Sequence, residues 1–111
     1  MMEHPLEIDV ATLAVQLKER PGPRLIDCRE PDEWEFCRLE GATLIPMGEI
    51  PSRLSELAEF RDQELVVYCH HGSRSLRVVH WLRQQGFSLV SSLAGGIDAW
   101  SEQMDPNVPR Y

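Results

Sequence analysis

The stretch YCHHGSRSLR at residues 68–77 carries the residue types best suited to chemistry in this chain of 111 residues. Cys69 directly follows the apolar run LVVY and precedes a segment with helical spacing. A thiol is nucleophilic as thiolate, a form that the free N–H groups and the dipole of a helix N-terminus stabilise. Gly72 permits a bend that turns successive amides inward, and Arg74 adds a permanent positive charge. The stretch therefore predicts an anion-binding loop around a reactive cysteine.

A metal site is the alternative chemistry for a Cys-His-His run, because His70, His71 and Cys69 are all residue types that bind zinc. Three adjacent residues on a tight loop cannot easily converge on one tetrahedral ion. The chain also has no C-x-x-C or H-E-x-x-H pattern. We expect no metal here, and both histidines remain open between solvated loop residues, substrate donors and proton-transfer groups.

The elements that must position this loop alternate between strands and helices. Apolar runs predict strands at 6–8, 25–28, 43–45, 65–68 and 88–93. Helical spacing and capping residues predict helices after Asp9, over 30–36, from Pro51 onward, over 73–85 and after the glycine pair 95–96. The pattern predicts an α/β fold of three layers, α/β/α, with a mainly parallel five-stranded sheet in the middle layer. Cys69 would lie at the carboxyl edge, where such sheets bind ligands.

The length and the charge of the chain narrow its class. We expect a single domain over 1–111, with a core over about 6–101 and a short tail over 102–111. Eleven basic against eighteen acidic residues give a net charge of −7, which disfavours nucleic-acid and membrane partners. The acidic start MMEHPLEIDV does not resemble a signal peptide, and three cysteines are too few for a disulfide framework. We therefore expect a cytoplasmic protein with free thiols.

Four motifs together resemble those of single-domain rhodaneses, a superfamily of sulfurtransferases. The loop CHHGSRS at 69–75 is similar to the family pattern C-x-x-G-x-R-S. The stretches DCREPDEW at 27–34, GATLIP at 41–46 and GGIDAW at 95–100 resemble three further family motifs in the family's order. The chain departs from the family at 37–40, where CRLE replaces the common G-H-I-P and introduces an additional thiol at Cys37.

The resemblance implies a sulfur transfer without metal or organic cofactor. The nucleophile would be Cys69, which takes the outer sulfur of a small anionic donor such as thiosulfate and holds it as a persulfide. A thiophilic acceptor, either cyanide, a small thiol or a protein thiol, would then remove it. The implied substrate-binding residues are His70, His71, Gly72, Ser73, Arg74 and Ser75. Asp27 and Arg29 would support the loop through an ion pair or hydrogen bonds.

Three alternatives remain open at this point. Phosphatases and arsenate reductases of related fold use C-x5-R, whereas four residues separate Cys69 from Arg74 here, which favours sulfur over phosphate. The domain could instead be a persulfide carrier for a protein partner, or a regulatory protein-binding module. Cys28 is expected to face the core, and Cys37 could exchange with Cys69 only if the two lie close together. Replacing either Cys28 or Cys37 by serine is expected to leave turnover largely intact.

Overall fold

Five parallel strands form the centre of the structure, a computed structural model that describes residues 4–111. The strands are β1 (Glu7–Ile8), β2 (Arg24–Asp27), β3 (Thr43–Leu44), β4 (Leu65–Tyr68) and β5 (Val90–Leu93). Their order in the sheet is β1-β5-β4-β2-β3, so β4 lies in the centre with β5 and β2 beside it. Every pairing is parallel, which confirms the predicted α/β class and sheet.

The helices are α1 (Val10–Gln16), α2 (Pro31–Phe36), α3 (Leu54–Leu57), α4 (Ser73–Gln84) and α5 (Gly96–Gln103). Asp9 caps α1 as predicted, because its carboxylate accepts from the Thr12 N–H at 2.8 Å. The helix predicted from Pro51 is shorter, since turns occupy 51–53 and a 3₁₀ turn follows at 58–60. None of the helices within 4–111 is long and apolar enough to span a bilayer.

Two apolar clusters pack on opposite faces of the sheet and give the fold its three layers. One face packs against α3 and α4 through buried residues that include Ile26, Cys28, Val67, Cys69, Val78 and Leu82. The other face packs against α1 and α5 through residues that include Leu25, Val66, Tyr68, Leu13 and Ile97. Successive strand residues alternate between the two clusters, as the pleat of a strand requires.

The carboxyl ends of β2 and β4 stop at the same level of the sheet. Asp27 pairs with Tyr68 in the parallel register, and the Cys28 N–H donates to the Tyr68 carbonyl at 3.0 Å. Both chains then leave the sheet at one edge, where β4 continues into α4 and β2 into α2. This edge brings two of the sequence motifs together.

Candidate active site

The sulfur of Cys69 lies at the N-terminus of the twelve-residue helix α4. Its Sγ accepts hydrogen bonds from the backbone N–H groups of Gly72 at 3.1 Å and Ser75 at 3.4 Å. The Ser75 hydroxyl lies 3.5 Å from the same sulfur. Gly72 takes a left-handed φ of 111°, which is the bend that turns the loop into the helix. The predicted amide cradle is therefore present, with Gly72 and Ser75 as its two contacts to sulfur.

The first turn of α5 fixes the start of this loop from the other side. The N–H groups of Ile97 and Asp98 donate to the carbonyls of Cys69 and His70 at 2.9 and 3.1 Å. Gly96 has a φ of +61°, and a Cβ there would collide with both carbonyls. The GGIDAW motif thus has a structural reason: only glycine permits α5 to approach the loop this closely.

These contacts make Cys69 an acidic thiol. The hydrogen bond from the Cys28 thiol, followed by those from Ser75 and Gly72, lowers the pKa of Cys69 to about 4 against the opposing effect of burial. In return, the hydrogen bond with Cys69 and burial raise the pKa of Cys28. At neutral pH, Cys69 is consequently a thiolate and Cys28 keeps its proton.

Arg74 reaches away from the sulfur to a carboxylate of α2. Its guanidinium makes two parallel bonds to Glu33, Nη1 to Oε1 at 2.7 Å and Nη2 to Oε2 at 3.0 Å. The bond to Arg74 lowers the pKa of Glu33 to about 2. The side chain of Arg74 stays 30% exposed, so it lies within reach of an anion that approaches the loop. Glu33 was not among the predicted site residues.

The C-terminal residue Tyr111 also contacts the site, and no sequence pattern marked it. Its hydroxyl donates to Glu33 Oε2 at 2.6 Å and accepts from Arg29 Nη1 at 2.8 Å. The ring stacks on the imidazole of His70, with centroids 3.8 Å apart and planes 6° from parallel. Tyr111 therefore links both ends of the active loop, since it touches His70 directly and Arg74 through Glu33.

The predicted pair of Asp27 and Arg29 is formed and fully buried. Arg29 Nη2 lies 2.6 Å from Asp27 Oδ2, with both side chains 0% exposed, and donates to the Cys37 carbonyl at 2.6 Å. Among the hydrogen bonds of residues 4–111, the side chains of this pair have none to loop 69–75. Its support of the loop is thus indirect and runs through Tyr111.

The sheet lies between two of the three cysteines, Cys37 and Cys69. Cys37 belongs to the apolar cluster on the α1 and α5 face, whereas Cys69 belongs to the cluster on the α3 and α4 face. Direct exchange between Cys37 and Cys69 is excluded by this placement. Cys28 faces the core as expected, with 0% exposure, and lies on the same face as Cys69.

The remaining predicted loop residues point outward. Ser73 and His71 are exposed, and His71 Nε2 lies 3.9 Å from Asp98 Oδ2. The ligand atoms of His70, His71 and Asp98 lie within 4.8 Å of one another. Arg110 already pairs with both oxygens of Asp98 at 3.0 and 3.2 Å, so an ion would have to displace it. The absence of a resident metal stays a prediction.

Fold and site together define a parallel α/β domain with an acidic cysteine at a helix N-terminus. The sequence model of the rhodanese-like domain family matches residues 10–103, and the chain belongs to this family. A sulfurtransferase of Allochromatium vinosum is 37% identical over 102 residues, covering 92% of this chain and 94% of that protein. The thiosulfate sulfurtransferase GlpE of Vibrio cholerae is 34% identical, covering 89% and 91%.

A solved structure agrees with this assignment. The rhodanese-related protein of Thermoplasma volcanium superposes with a TM-score of 0.82 at 31% identity, and the match covers 96% of this chain and 100% of that one. Other curated relatives are longer. The chain spans 30% of a rhodanese-like/PpiC domain-containing protein of Arabidopsis thaliana and 22% of a probable adenylyltransferase/sulfurtransferase of Mycobacterium tuberculosis. The domain thus occurs in similar proteins both alone and as part of larger chains.

Proposed function

We propose that the protein is a sulfurtransferase that carries a sulfane sulfur as a persulfide on Cys69. The observation that carries the proposal is the Cys69 thiolate, held by the N–H groups of Gly72 and Ser75 at the start of α4. Relatives named as sulfurtransferases support this class of reaction. The donor is a small sulfur-containing anion such as thiosulfate, whose charge suits the loop amides and Arg74.

In the first step, the Cys69 thiolate attacks the outer sulfur of the donor. A sulfur–sulfur bond forms to Sγ, the sulfur–sulfur bond of thiosulfate breaks, and sulfite leaves with the electron pair of that bond. The negative charge moves to the added sulfur, about 2 Å beyond Sγ. The free N–H groups of the first turn of α4 stabilise the anion before and after transfer.

In the second step, a nucleophilic acceptor takes the outer sulfur. Cyanide or a thiolate attacks it, the persulfide bond breaks, and Cys69 leaves with the electron pair as a thiolate. A low pKa makes a thiol a better leaving group, so the same contacts that form the nucleophile also speed its release. The outer sulfur is the atom transferred, so the acceptor needs to reach that sulfur and not the Sγ of Cys69, a residue that is 1% exposed.

The acceptor decides between two versions of this proposal. A free-standing enzyme passes sulfur to cyanide or a small thiol, whereas a persulfide carrier passes it to a protein thiol. The longer relatives, in which this domain is one part, leave room for the second version. In both versions we propose that the protein acts in the cytoplasm, where a reducing environment keeps cysteines such as these three free.

The proposal is tested by mass spectrometry after incubation with thiosulfate. We expect the mass of one sulfur atom on the peptide that contains Cys69, and its loss on addition of cyanide with formation of thiocyanate. Cys69→Ser should remain unmodified while keeping its fold. Cys37→Ser is the matched control, because this thiol lies on the opposite face of the sheet and its loss should leave the modification of Cys69 intact.

Three results would contradict the proposal or change its version. A wild-type protein that stays unmodified with thiosulfate and with other sulfane donors would overturn it. Hydrolysis of a phenyl phosphate by wild type but not by Cys69→Ser would favour the alternative function, a phosphatase with Cys69 as its nucleophile. A persulfide that only a protein thiol can remove, and not cyanide or a small thiol, would identify the carrier.

A further inference from the structure

Two buried thiols leave neighbouring strands at the same level of the sheet. Cys28 follows β2 as Cys69 follows β4, and the residues before them, Asp27 and Tyr68, are register partners. The Cys28 N–H donates to the Tyr68 carbonyl at 3.0 Å, so the parallel pairing extends to the cysteines. Paired strands lie about 4.8 Å apart, and residues at equal register point their side chains to the same face. Cys28 and Cys69 are therefore side by side.

The surroundings of Cys28 are mainly apolar. The side chain is 0% exposed and belongs to a cluster that is otherwise formed by aliphatic and aromatic side chains. Cys69 is the other thiol of that cluster, and the β2–β4 register places its sulfur beside the Cys28 S–H as an acceptor. A buried donor beside a buried thiolate is a charge-assisted pair, which is stronger than a bond between neutral groups.

The charges around this pair determine which sulfur keeps the proton. The positive charge of Arg74 favours a thiolate at either sulfur, while the Asp27 carboxylate on β2 disfavours a negative charge on its neighbour Cys28. The N–H groups of Gly72 and Ser75 point at Cys69 alone. Cys28 consequently remains the donor, and Cys69 remains the acceptor.

We infer that Cys28 is a positioning residue of the reaction, whose S–H donates to Sγ of Cys69 and holds that sulfur as a thiolate. The inference rests on the proposed role of Cys69 as the nucleophile. It assigns Cys28 a part in both steps: the hydrogen bond keeps Cys69 ionised before attack and stabilises it again as it leaves the persulfide. Serine at position 28 keeps a hydrogen-bond donor and valine does not. The two substitutions must therefore differ in their effect on the ionisation of Cys69.

The test is the pH dependence of Cys69 alkylation by iodoacetamide, measured in short pulses and located by peptide mapping. Wild type should reach half of its maximal rate near pH 4, because the pKa of Cys69 lies at about 4. The reactive thiolate persists as the pH falls and is lost only below this value. In Cys28→Val the midpoint should rise by about one to two pH units, the effect of one hydrogen bond to a charged group.

Two controls separate a donor from a packing residue. Cys28→Ser should keep a midpoint close to wild type because its hydroxyl replaces the S–H, and Cys37→Val should do the same because that thiol lies across the sheet. The inference is overturned if Cys28→Val titrates like wild type, or if Cys28→Ser shifts as far as Cys28→Val. Should Cys28→Val not fold, Cys28→Ala removes the donor with a smaller side chain and carries the same expectation.

Alkylation needs no sulfur donor, so this test is independent of the transfer reaction. A shifted midpoint in a protein that forms no persulfide would support the hydrogen bond from Cys28 to Cys69 but overturn the proposed function, and with it the part of Cys28 in the reaction. A second measurement follows the removal of sulfur by cyanide from preformed persulfide at neutral pH. This step should be slower in Cys28→Val than in wild type, and a rate equal to or above wild type counts against the inference.

Discussion

Replacement of Arg29 by methionine is the sharpest test of how the site is supported. Arg29 is fully buried and holds Asp27 by two bonds, Nε to Oδ1 at 2.9 Å and Nη2 to Oδ2 at 2.6 Å. It also donates to the Cys37 carbonyl and to the Tyr111 hydroxyl. Methionine retains the apolar stem but removes every one of these donors. Asp27 is then left as a buried carboxylate without its partner.

Removing one partner of a buried ion pair costs about 3–5 kcal/mol, because the remaining charge has no water to replace it. A domain of 111 residues has a free energy of unfolding of roughly 6–17 kcal/mol. The loss is thus a large part of the total. With a urea dependence of about 2 kcal/mol per molar, the midpoint of unfolding should fall by about 1.5–2.5 M.

The assay is urea unfolding followed by the fluorescence of the three tryptophans. Arg53→Met is the matched control, since Arg53 pairs with Glu49 and Glu56 at the surface, where water and salt screen the charges. Its midpoint should change little. The double variant Asp27→Asn with Arg29→Met should recover part of the loss, because it removes the unpaired charge. An Arg29→Met midpoint no lower than that of Arg53→Met would refute the reasoning.

Two further predictions concern the segments that hold the loop. Tyr111→Phe removes the hydroxyl that joins Glu33 to Arg29 and should lower the free energy of unfolding by about 1 kcal/mol in the same urea assay; an unchanged midpoint contradicts this contact. Gly96→Ala should lower the free energy of unfolding by at least about 2 kcal/mol, because of its positive φ and the overpacking of a Cβ against the loop carbonyls. It should also slow persulfide formation. Gly48→Ala is the control, and should do neither because the space around Gly48 is open.

The local part of the fold was predictable from the sequence. Spacing alone predicted an amphipathic helix over 73–85 after an apolar strand, and α4 (Ser73–Gln84) begins at Ser73 as expected. The helix expected from Pro51 was wrong in length, because 3₁₀ turns and helix share the same short-range spacing and only packing separates them. The helix expected after the glycine pair is present as α5 (Gly96–Gln103), which packs against α1.

The partners of the site residues were not predictable in the same way. Glu33 lies 41 positions before Arg74, and Tyr111 lies 82 positions after Arg29, so no periodicity relates them. The pairing of Cys28 with Cys69 depends on β2 and β4 being neighbours at one register, which follows from the strand order. Each of these contacts needs the complete sheet.

By itself, the sequence determined the position of the candidate nucleophile, the bend at Gly72 and the helix that follows, because neighbouring residues alone set the path of a tight loop. Tertiary structure decided what surrounds the loop: the thiol of Cys28, the carboxylate of Glu33 and the ring of Tyr111. The physical reason is that the pKa of a buried thiol depends on the groups within a few ångströms of it, and packing of distant segments brings those groups there.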